Sequence, residues 1–257
     1  MEYGDKHILV LGAGASGIGA SWVLAQVGAH VVLNDYKPVT LPADEEKRLV
    51  SAGVDIITGR QDESLLDGVD RIVISPGISL DIPIVKAAQD RGIDVVSEVE
   101  LAYEVSKSPI VAVTGTNGKT TTTTLLTKVL EGSGKPVRVG GNIGDSLSEV
   151  AYSMPAGGFL VAELSSYQLE TIKHFRPIGA IMLNITPDHL ARHKTMENYI
   201  AAKERIFENQ LKSDYLVLNI DDSVVADMEH RAPSHILQIS QKQTVENGAY
   251  YANGQCY

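Results

Sequence analysis

Val113-Thr114-Gly115-Thr116-Asn117-Gly118-Lys119-Thr120-Thr121 decides the reading of this chain. It follows an apolar stretch, Ile110 to Val113, and precedes a helical pattern carrying Leu125, Leu126, Val129 and Leu130. A glycine-rich turn between strand and helix presents backbone N–H groups at a helix N-terminus, where the dipole favours anions. Gly115 and Gly118 let the backbone close around phosphate oxygens. Lys119 can then reach the β- and γ-phosphates, and the Thr120 hydroxyl can ligate Mg²⁺. The full pattern places a glycine five residues before Gly118, where this chain has Val113, so the match is a shortened variant. The bland alternative is a tight turn with an accidental lysine. The context favours a nucleoside triphosphate site.

Working outward, the first 106 residues alternate strands and helices. Ile8-Leu9-Val10-Leu11, Val31-Val32-Leu33, Ile56-Ile57, Ile72-Val73-Ile74 and Val95-Val96 are short and mostly unalternating, as strands covered on both faces are. Between them lie helical stretches such as Ser16 to Val27, closed by Gly28, and Pro83 to Arg91, closed by Gly92. Residues 1–106 therefore predict a doubly wound, Rossmann-like α/β domain with a parallel sheet. Ser106-Lys107-Ser108-Pro109 reads as a linker into a second α/β domain, 107–257. Its strands continue at Phe159 to Ala162, Ala180 to Leu183, Leu216 to Leu218 and Ile236 to Ile239. Ala249-Tyr250-Tyr251-Ala252 then leads into Asn253-Gly254, a strong two-residue hairpin signal, with Gln255, Cys256 and Tyr257 as the return strand. So short a return predicts that the chain is the N-terminal part of a longer protein.

The 257 residues are 44% apolar and 21% charged, the balance of a globular protein. No apolar run approaches the roughly 18 residues of a bilayer span, and Met1-Glu2-Tyr3-Gly4-Asp5 lacks the basic start of a signal peptide. Cys256 is the only cysteine, which excludes an intrachain disulfide or a cysteine metal cage. Together these predict a cytoplasmic protein with no membrane partner. A formal charge of -10 argues against nucleic acid as the main partner.

Further constellations sit at strand ends. Gly12-Ala13-Gly14-Ala15-Ser16-Gly17 follows the first strand and opens a helix, and Asp35 ends the next strand. That pair suits a dinucleotide or another nucleotide diphosphate, with Asp35 accepting from ribose hydroxyls. Glu163 ends an apolar strand in Glu163-Leu164-Ser165-Ser166-Tyr167-Gln168-Leu169, where its natural task is to help hold Mg²⁺. Ser165 and Gln168 have capping-box spacing. Asp188 and His189 follow another strand, and His189 is either a metal or phosphate ligand or an ordinary loop histidine; His193 reads as surface. On a helix expected from Met196 to Leu211, Tyr199, Lys203, Ile206 and Phe207 share one face. Lys203 is then either a snorkelling lysine or a functional amine with a depressed pKa, open to chemical modification.

These residues resemble the Mur ligase family across the whole chain. The resemblance rests on Gly12 to Gly17, Ser75-Pro76-Gly77, Thr114 to Thr121, Gly140-Gly141-Asn142-Ile143-Gly144, Glu163 to Leu169, Asn184 to His189 and Ala201-Ala202-Lys203. It implies a Rossmann-like domain, a P-loop NTPase-like central domain and an absent third domain. The Glu163 to Leu169 run is similar to the branch that adds D-glutamate. The implied reaction is ATP-dependent phosphorylation of the carboxylate of UDP-N-acetylmuramoyl-L-alanine, then attack by the amine of D-glutamate on the acyl phosphate, a step of peptidoglycan synthesis. By resemblance, Gly115, Thr116, Asn117, Gly118, Lys119, Thr120 and Thr121 bind ATP, and Thr120 and Glu163 hold Mg²⁺. Lys203 is implied to carry a carbamate that holds a second metal with His189. Lys119, Lys203 and His189 form the catalytic set. Asn142 and His189 are implied contacts to the muramoyl substrate, Ala15, Ser16 and Asp35 are implied contacts to the uracil of uridine diphosphate and its nearby groups, and Ser75, Pro76 and Gly77 are implied to line the same cleft. A monomer is expected, with low or no activity for this chain alone. Two rival readings stay open: a related ligase of the folylpolyglutamate type, and a nicotinamide-binding sensor with an ATP switch domain.

Overall fold

Strands whose side chains must be covered on both faces put successive residues into two different cores, and β1 (His7–Leu11) does so. Ile8 and Val10 join Val23, Leu24 and Leu49 on one face, while Leu9 and Leu11 join Ile84, Val85 and Ala88 on the other. The structure, a computed structural model, describes residues 3–257. The chain continues through α1 (Ala15–Gln26), β2 (His30–Asp35), α2 (Ala43–Ser51), β3 (Asp55–Thr58), β4 (Arg71–Ile74), α3 (Pro83–Asp90), β5 (Asp94–Ser97) and α4 (Glu98–Val105). The five strands form one parallel sheet in the order β3-β2-β1-β4-β5. Reversal of the strand order beside β1 opens a crevice at the carboxyl ends of β1 and β4, where the turn after β1 lies.

The remaining elements are β6 (Ile110–Thr114), α5 (Lys119–Glu131), β7 (Val137–Gly141), α6 (Leu147–Ser153), β8 (Phe159–Glu163), α7 (Ser166–Leu169), β9 (Gly179–Met182), α8 (Leu190–His193), α9 (Met196–Glu204), β10 (Tyr215–Asn219), α10 (Ser223–Asp227), β11 (His235–Ser240), β12 (Gly248–Ala252) and β13 (Gln255–Cys256). They build an eight-stranded sheet, β13-β12-β11-β10-β9-β6-β8-β7, parallel except for the β12–β13 pair. That pair is the hairpin turned by Asn253 and Gly254, both at positive φ (51° and 80°) as a primed turn requires. No helix among the described residues is long and apolar enough to cross a membrane.

Contacts divide the chain into two units, and the division is not one cut. Met1–Ser106 takes back Asp145–Ser153 and Thr171–Lys173 from the later sequence, and the rest of Lys107–Tyr257 forms the second unit. Within the first unit, buried Glu98 accepts from the Ser146 and Ser148 hydroxyls and from the Ser148 N–H, and Glu100 accepts from the Lys173 N–H at 2.7 Å. These carboxylates tie the late segments to α4. Burial pushes the Glu98 carboxyl above the usual carboxylate range.

Two helices differ from expectation. The helix expected to reach Leu211 is α-helical only to Glu204 and tightens to a 3₁₀ turn at Arg205–Phe207. Asp214 captures the Leu211 N–H at 2.7 Å, and the Gln210 amide donates to the Pro177 and Tyr215 carbonyls, so side chains end the element. In α5, Thr123 and Thr127 are buried while Leu125 and Val129 face solvent.

Candidate functional site

The turn after β6 is held by its neighbour strand. The Thr116 N–H donates to the Asn184 carbonyl at 2.9 Å, and the Asn117 N–H donates to Asn184 Oδ1 at 2.8 Å. Gly115 lies at φ +150°, and a Cβ there would sit 2.9 Å from Leu183 Cβ, so the close approach excludes a side chain. Gly118, at φ +84°, supplies the left-handed residue that starts α5. Lys119 folds back along the turn and donates to the Gly115 and Thr116 carbonyls at 3.0 and 2.9 Å. Its ammonium therefore hangs over the same turn whose N–H groups open α5.

Behind the turn, Glu163 is 1% exposed at the end of β8. Its two carboxylate oxygens accept from the Thr120 hydroxyl at 2.8 Å and from Asn142 Nδ2 at 3.0 Å. The Asn142 N–H also donates to the Glu163 carbonyl, and a Cβ on Gly141 would overlap that same carbonyl. The glycine pair before Asn142 thus permits β7 to approach β8. A hydroxyl, a carboxylate and a side-chain carbonyl form a hard oxygen donor set of the kind Mg²⁺ takes.

Lys203 is 2% exposed, with Nζ 2.8 Å from the Gly115 carbonyl, 3.3 Å from Thr114 Oγ1 and 5.0 Å from the centre of the Tyr199 ring. It does not snorkel. Burial, helped by the Lys119 charge and opposed by Asp188, lowers its pKa to about 7. Tyr199, Ile206 and Phe207 are buried with it, as the shared face requires. The Tyr199 hydroxyl is 3.0 Å from Thr116 Oγ1, which also accepts from the Thr186 N–H.

His189 sits at φ +53°, half exposed, with Nε2 3.4 Å from Asp188 and its ring 4.9 Å from that of Tyr167. His193, read from sequence as surface, is in fact 6% exposed. Its Nε2 meets Ser166 Oγ at 2.9 Å, its Nδ1 lies 3.4 Å from Glu170, and Tyr167 and Tyr199 flank the ring. Burial pulls its pKa below the ordinary imidazole value. Ser165 and Gln168 make the capping box over α7 that their spacing predicts. Among the described residues no group of three or more His, Cys, Asp or Glu side chains gathers as a metal cage. Holding a second ion at His189 and Lys203 would therefore need a new anionic donor.

In the first unit, Gly12 lies at φ +99° against Ser75, and a Cβ on Gly17 would overlap the Gly12 carbonyl. Asp35 accepts from the Ala13 N–H at 3.0 Å and from the Lys37 N–H at 2.9 Å. A cavity of about 620 Å³ is lined by residues including Asp35, Lys37, Gln61, Gly77, Ser79 and Pro83. Asp35 and Gly77 thus share a cavity, which Ala15, Ser16, Ser75 and Pro76 do not line. The Ser16 hydroxyl helps to stabilise the Glu98 carboxylate, and the Ser75 hydroxyl donates to the Gly12 carbonyl at 3.3 Å. Sequence reasoning did not single out Lys37 or Gln61, which carry no motif. For His193, its four-residue spacing from His189 was the available signal.

Two family models match the chain: the Mur ligase middle domain over residues 113–255, and the Mur ligase MurD-like N-terminal domain over residues 6–97. A relative named UDP-N-acetylmuramoylalanine–D-glutamate ligase, from Caldanaerobacter subterraneus subsp. tengcongensis, is 46% identical over 100% of this chain and 57% of its own length. One of the same name from Halalkalibacterium halodurans is 44% identical over 100% of this chain and 56% of its own. The chain thus spans little more than half the length of these curated relatives. Among solved structures, the UDP-N-acetylmuramate:L-alanyl-gamma-D-glutamyl-meso-diaminopimelate ligase of Neisseria meningitides aligns with a TM-score of 0.63 at 20% identity, over 98% of this chain and 86% of that one. The UDP-N-acetylmuramate-alanine ligase MurC of Thermotoga maritima gives 0.52 at 23%, over 93% and 53%. At such identities the likeness speaks for a mixed α/β fold with parallel sheets.

Proposed function

The chain belongs to the Mur ligase family, and from that premise we propose that it forms the nucleotide-binding part of an ATP-dependent ligase joining D-glutamate to UDP-N-acetylmuramoyl-L-alanine. The observation that carries the reading is the junction of Lys119, Thr120 and Glu163, in a chain 46% identical throughout to a relative named for that reaction. The first unit reads as a Rossmann-like uridine diphosphate domain, with Asp35 and Gly77 in its cavity and Ala15, Ser16, Ser75 and Pro76 supporting the turn. The second reads as a P-loop NTPase-like ATP domain.

In this reading residues 115 to 121 cradle the ATP phosphates, and the Lys119 ammonium leaves its carbonyl partners for the phosphate oxygens. Thr120 and Glu163 would hold Mg²⁺, which would supply the positive charge that lets a carboxylate approach a triphosphate. Asn142 orients the Glu163 carboxylate and, with His189, contacts the muramoyl carboxyl end. A carboxylate resists amines until phosphorylation supplies a leaving group, so the residues that gather charge at this turn make the acyl phosphate attainable. Lys203, near-neutral at physiological pH, is suited to attack the carbon of CO₂; loss of the ammonium proton then leaves a carbamate anion, the donor that His189 lacks. The substrates suit a cytoplasmic monomer. This chain alone is expected to bind both nucleotides with little or no turnover.

Phosphate release by the full-length protein tests the reading. It should require ATP, UDP-N-acetylmuramoyl-L-alanine and D-glutamate together; equal turnover with L-lysine in place of D-glutamate rejects the assignment. Intact mass in bicarbonate should show one added CO₂ that the Lys203→Ala variant loses.

A further inference from the structure

Of residues 186–198, which run from behind β9 into α9, only His193 is buried. The one regular element before α9 is α8, a single helical turn too short to hold itself together in water. Two residues in the left-handed region bracket it, His189 at φ +53° and Lys194 at φ +71°. Side chains tolerate that conformation only where the surroundings impose it. The His193 ring supplies the hold. It lies between Tyr167 and Tyr199, with ring centroids 5.4 and 5.3 Å away. Nδ1 is 3.4 Å from the Glu170 carboxylate, which only accepts, so the ring proton sits there and Nε2 accepts from the Ser166 hydroxyl at 2.9 Å. Arg192 grips the same carboxylate through Nε and Nη2, and Asn198 Nδ2 donates to the His193 carbonyl at 2.8 Å. Ser, His and Glu in that order resemble a nucleophile relay, but Ser166 is 1% exposed and no substrate reaches it.

Resting on the part proposed for His189 in the ligase reaction, we infer that His193 is the positioning residue for His189. The Arg192 and His193 N–H groups both donate to the His189 carbonyl, at 3.0 and 3.1 Å. Pinning His193 therefore fixes the backbone of His189 one turn upstream. With φ held positive there, the His189 imidazole is laid against Tyr167, 4.9 Å between ring centroids, and beside Asp188. The His189 side chain is itself half exposed, so its place depends on the peg. Ser166 opens α7 behind β8, His189 lies behind β9, and β6 with its phosphate turn runs between those two strands. His193 thus ties together the two loops that flank the phosphate turn. Its polar bonds matter more than its bulk, because a ring free to rotate between two tyrosines would leave α8 without a fixed register.

NMR of this chain with labelled histidines reads the placement directly. The His189 Cε1–H signal, identified by its loss in His189→Gln, should be displaced by the Tyr167 ring. His193→Leu fills similar space without polar partners and should return that signal to the position of an exposed histidine. His193→Gln, able to accept from Ser166 and donate to Glu170, should keep about half of the displacement or more. If the leucine variant melts early, Ser166→Ala takes its place, deleting one bond and no ring, and the displacement should fall by about half. An unmoved signal in folded His193→Leu, or in Ser166→Ala where it stands in, overturns the proposal and leaves the ligase reading standing. In the full-length protein His193→Leu should lower kcat about tenfold, with KM for ATP within about twofold because the Lys119 turn is untouched, and His193→Gln should recover most of the loss. A displaced signal lost in His193→Leu with kcat unchanged would support the placement and count against the part of His189 in the reaction.

Discussion

At the end of β1 the chain turns through Gly12, Gly14 and Gly17; at the end of β6 it turns through Gly115 and Gly118. Both turns follow a buried parallel strand and open a helix. The first carries an acid, since the Ala13 N–H is already taken by the Asp35 carboxylate. The second carries a cation, Lys119, hung from its own carbonyls. An anion approaching the first turn meets a carboxylate, whereas hydroxyl and imino donors meet an acceptor. A triphosphate approaching the second turn meets an ammonium and free helix N–H groups. The shared backbone path therefore does not decide the ligand; the charge placed on the turn does.

The sharpest way to break this comparison is steric. Gly17→Ala puts a Cβ into the Gly12 carbonyl and should destabilise the first unit by about 3 kcal/mol in denaturant titrations. Full retention of stability would mean that the turn is looser than its glycines imply. Next in size, Lys119→Met should weaken ATP–Mg²⁺ binding about 30-fold while leaving UDP within about twofold. Loss of both nucleotides together would erase the distinction between an acidic and a cationic turn.

Smaller again is a pH effect at the second turn. The unfolded chain holds the Lys203 proton up to about pH 10, whereas burial lowers the folded value to about 7. Below pH 7 the folded state carries the full cost of a buried charge. Between those values the unfolded state binds the extra proton, so stability rises with pH. In CO₂-free buffer the native chain should gain on Lys203→Met by about 1 kcal/mol per pH unit from 7 towards 10. A flat difference would place the amine in water. Smallest of all, Gly14→Ala meets nothing within 4 Å at φ -83° and should stay within about 0.5 kcal/mol of the parent. A large loss there would mean that a ligand-free turn already needs all three glycines.

Much of this architecture was legible because parallel strands buried on both faces read as continuous apolar runs, as Ile8 to Leu11 and Ile110 to Val113 do. The capping box at Ser165 and the buried face of Tyr199 and Lys203 were legible too, since both depend on spacing within one element. What could not be read depends on partners distant in sequence. Burial of His193 follows from Ser166 and Glu170; early closure of the α9 helix follows from Asp214 and Gln210. The Gln61 amide, which donates to Asn34 Oδ1, is oriented by the Ile57 and Arg60 carbonyls that accept from Asn34 Nδ2, and no residue type announces them. Likewise, the return of α6 to the first unit hangs on Glu98, whose burial a charged residue gives no reason to expect.

That return limits how the gene can be cut. The polypeptide passes between its units at 106/107, 144/145, 153/154, 170/171 and 173/174. A fragment ending at Ser106 would lack α6, baring Gly19 where Ser146 now presses and the edge of Trp22 where Tyr152 packs at 5.7 Å. Neither half is a portable module, so shuffling between homologues has to carry the whole interleaved span or supply a substitute for the borrowed helix.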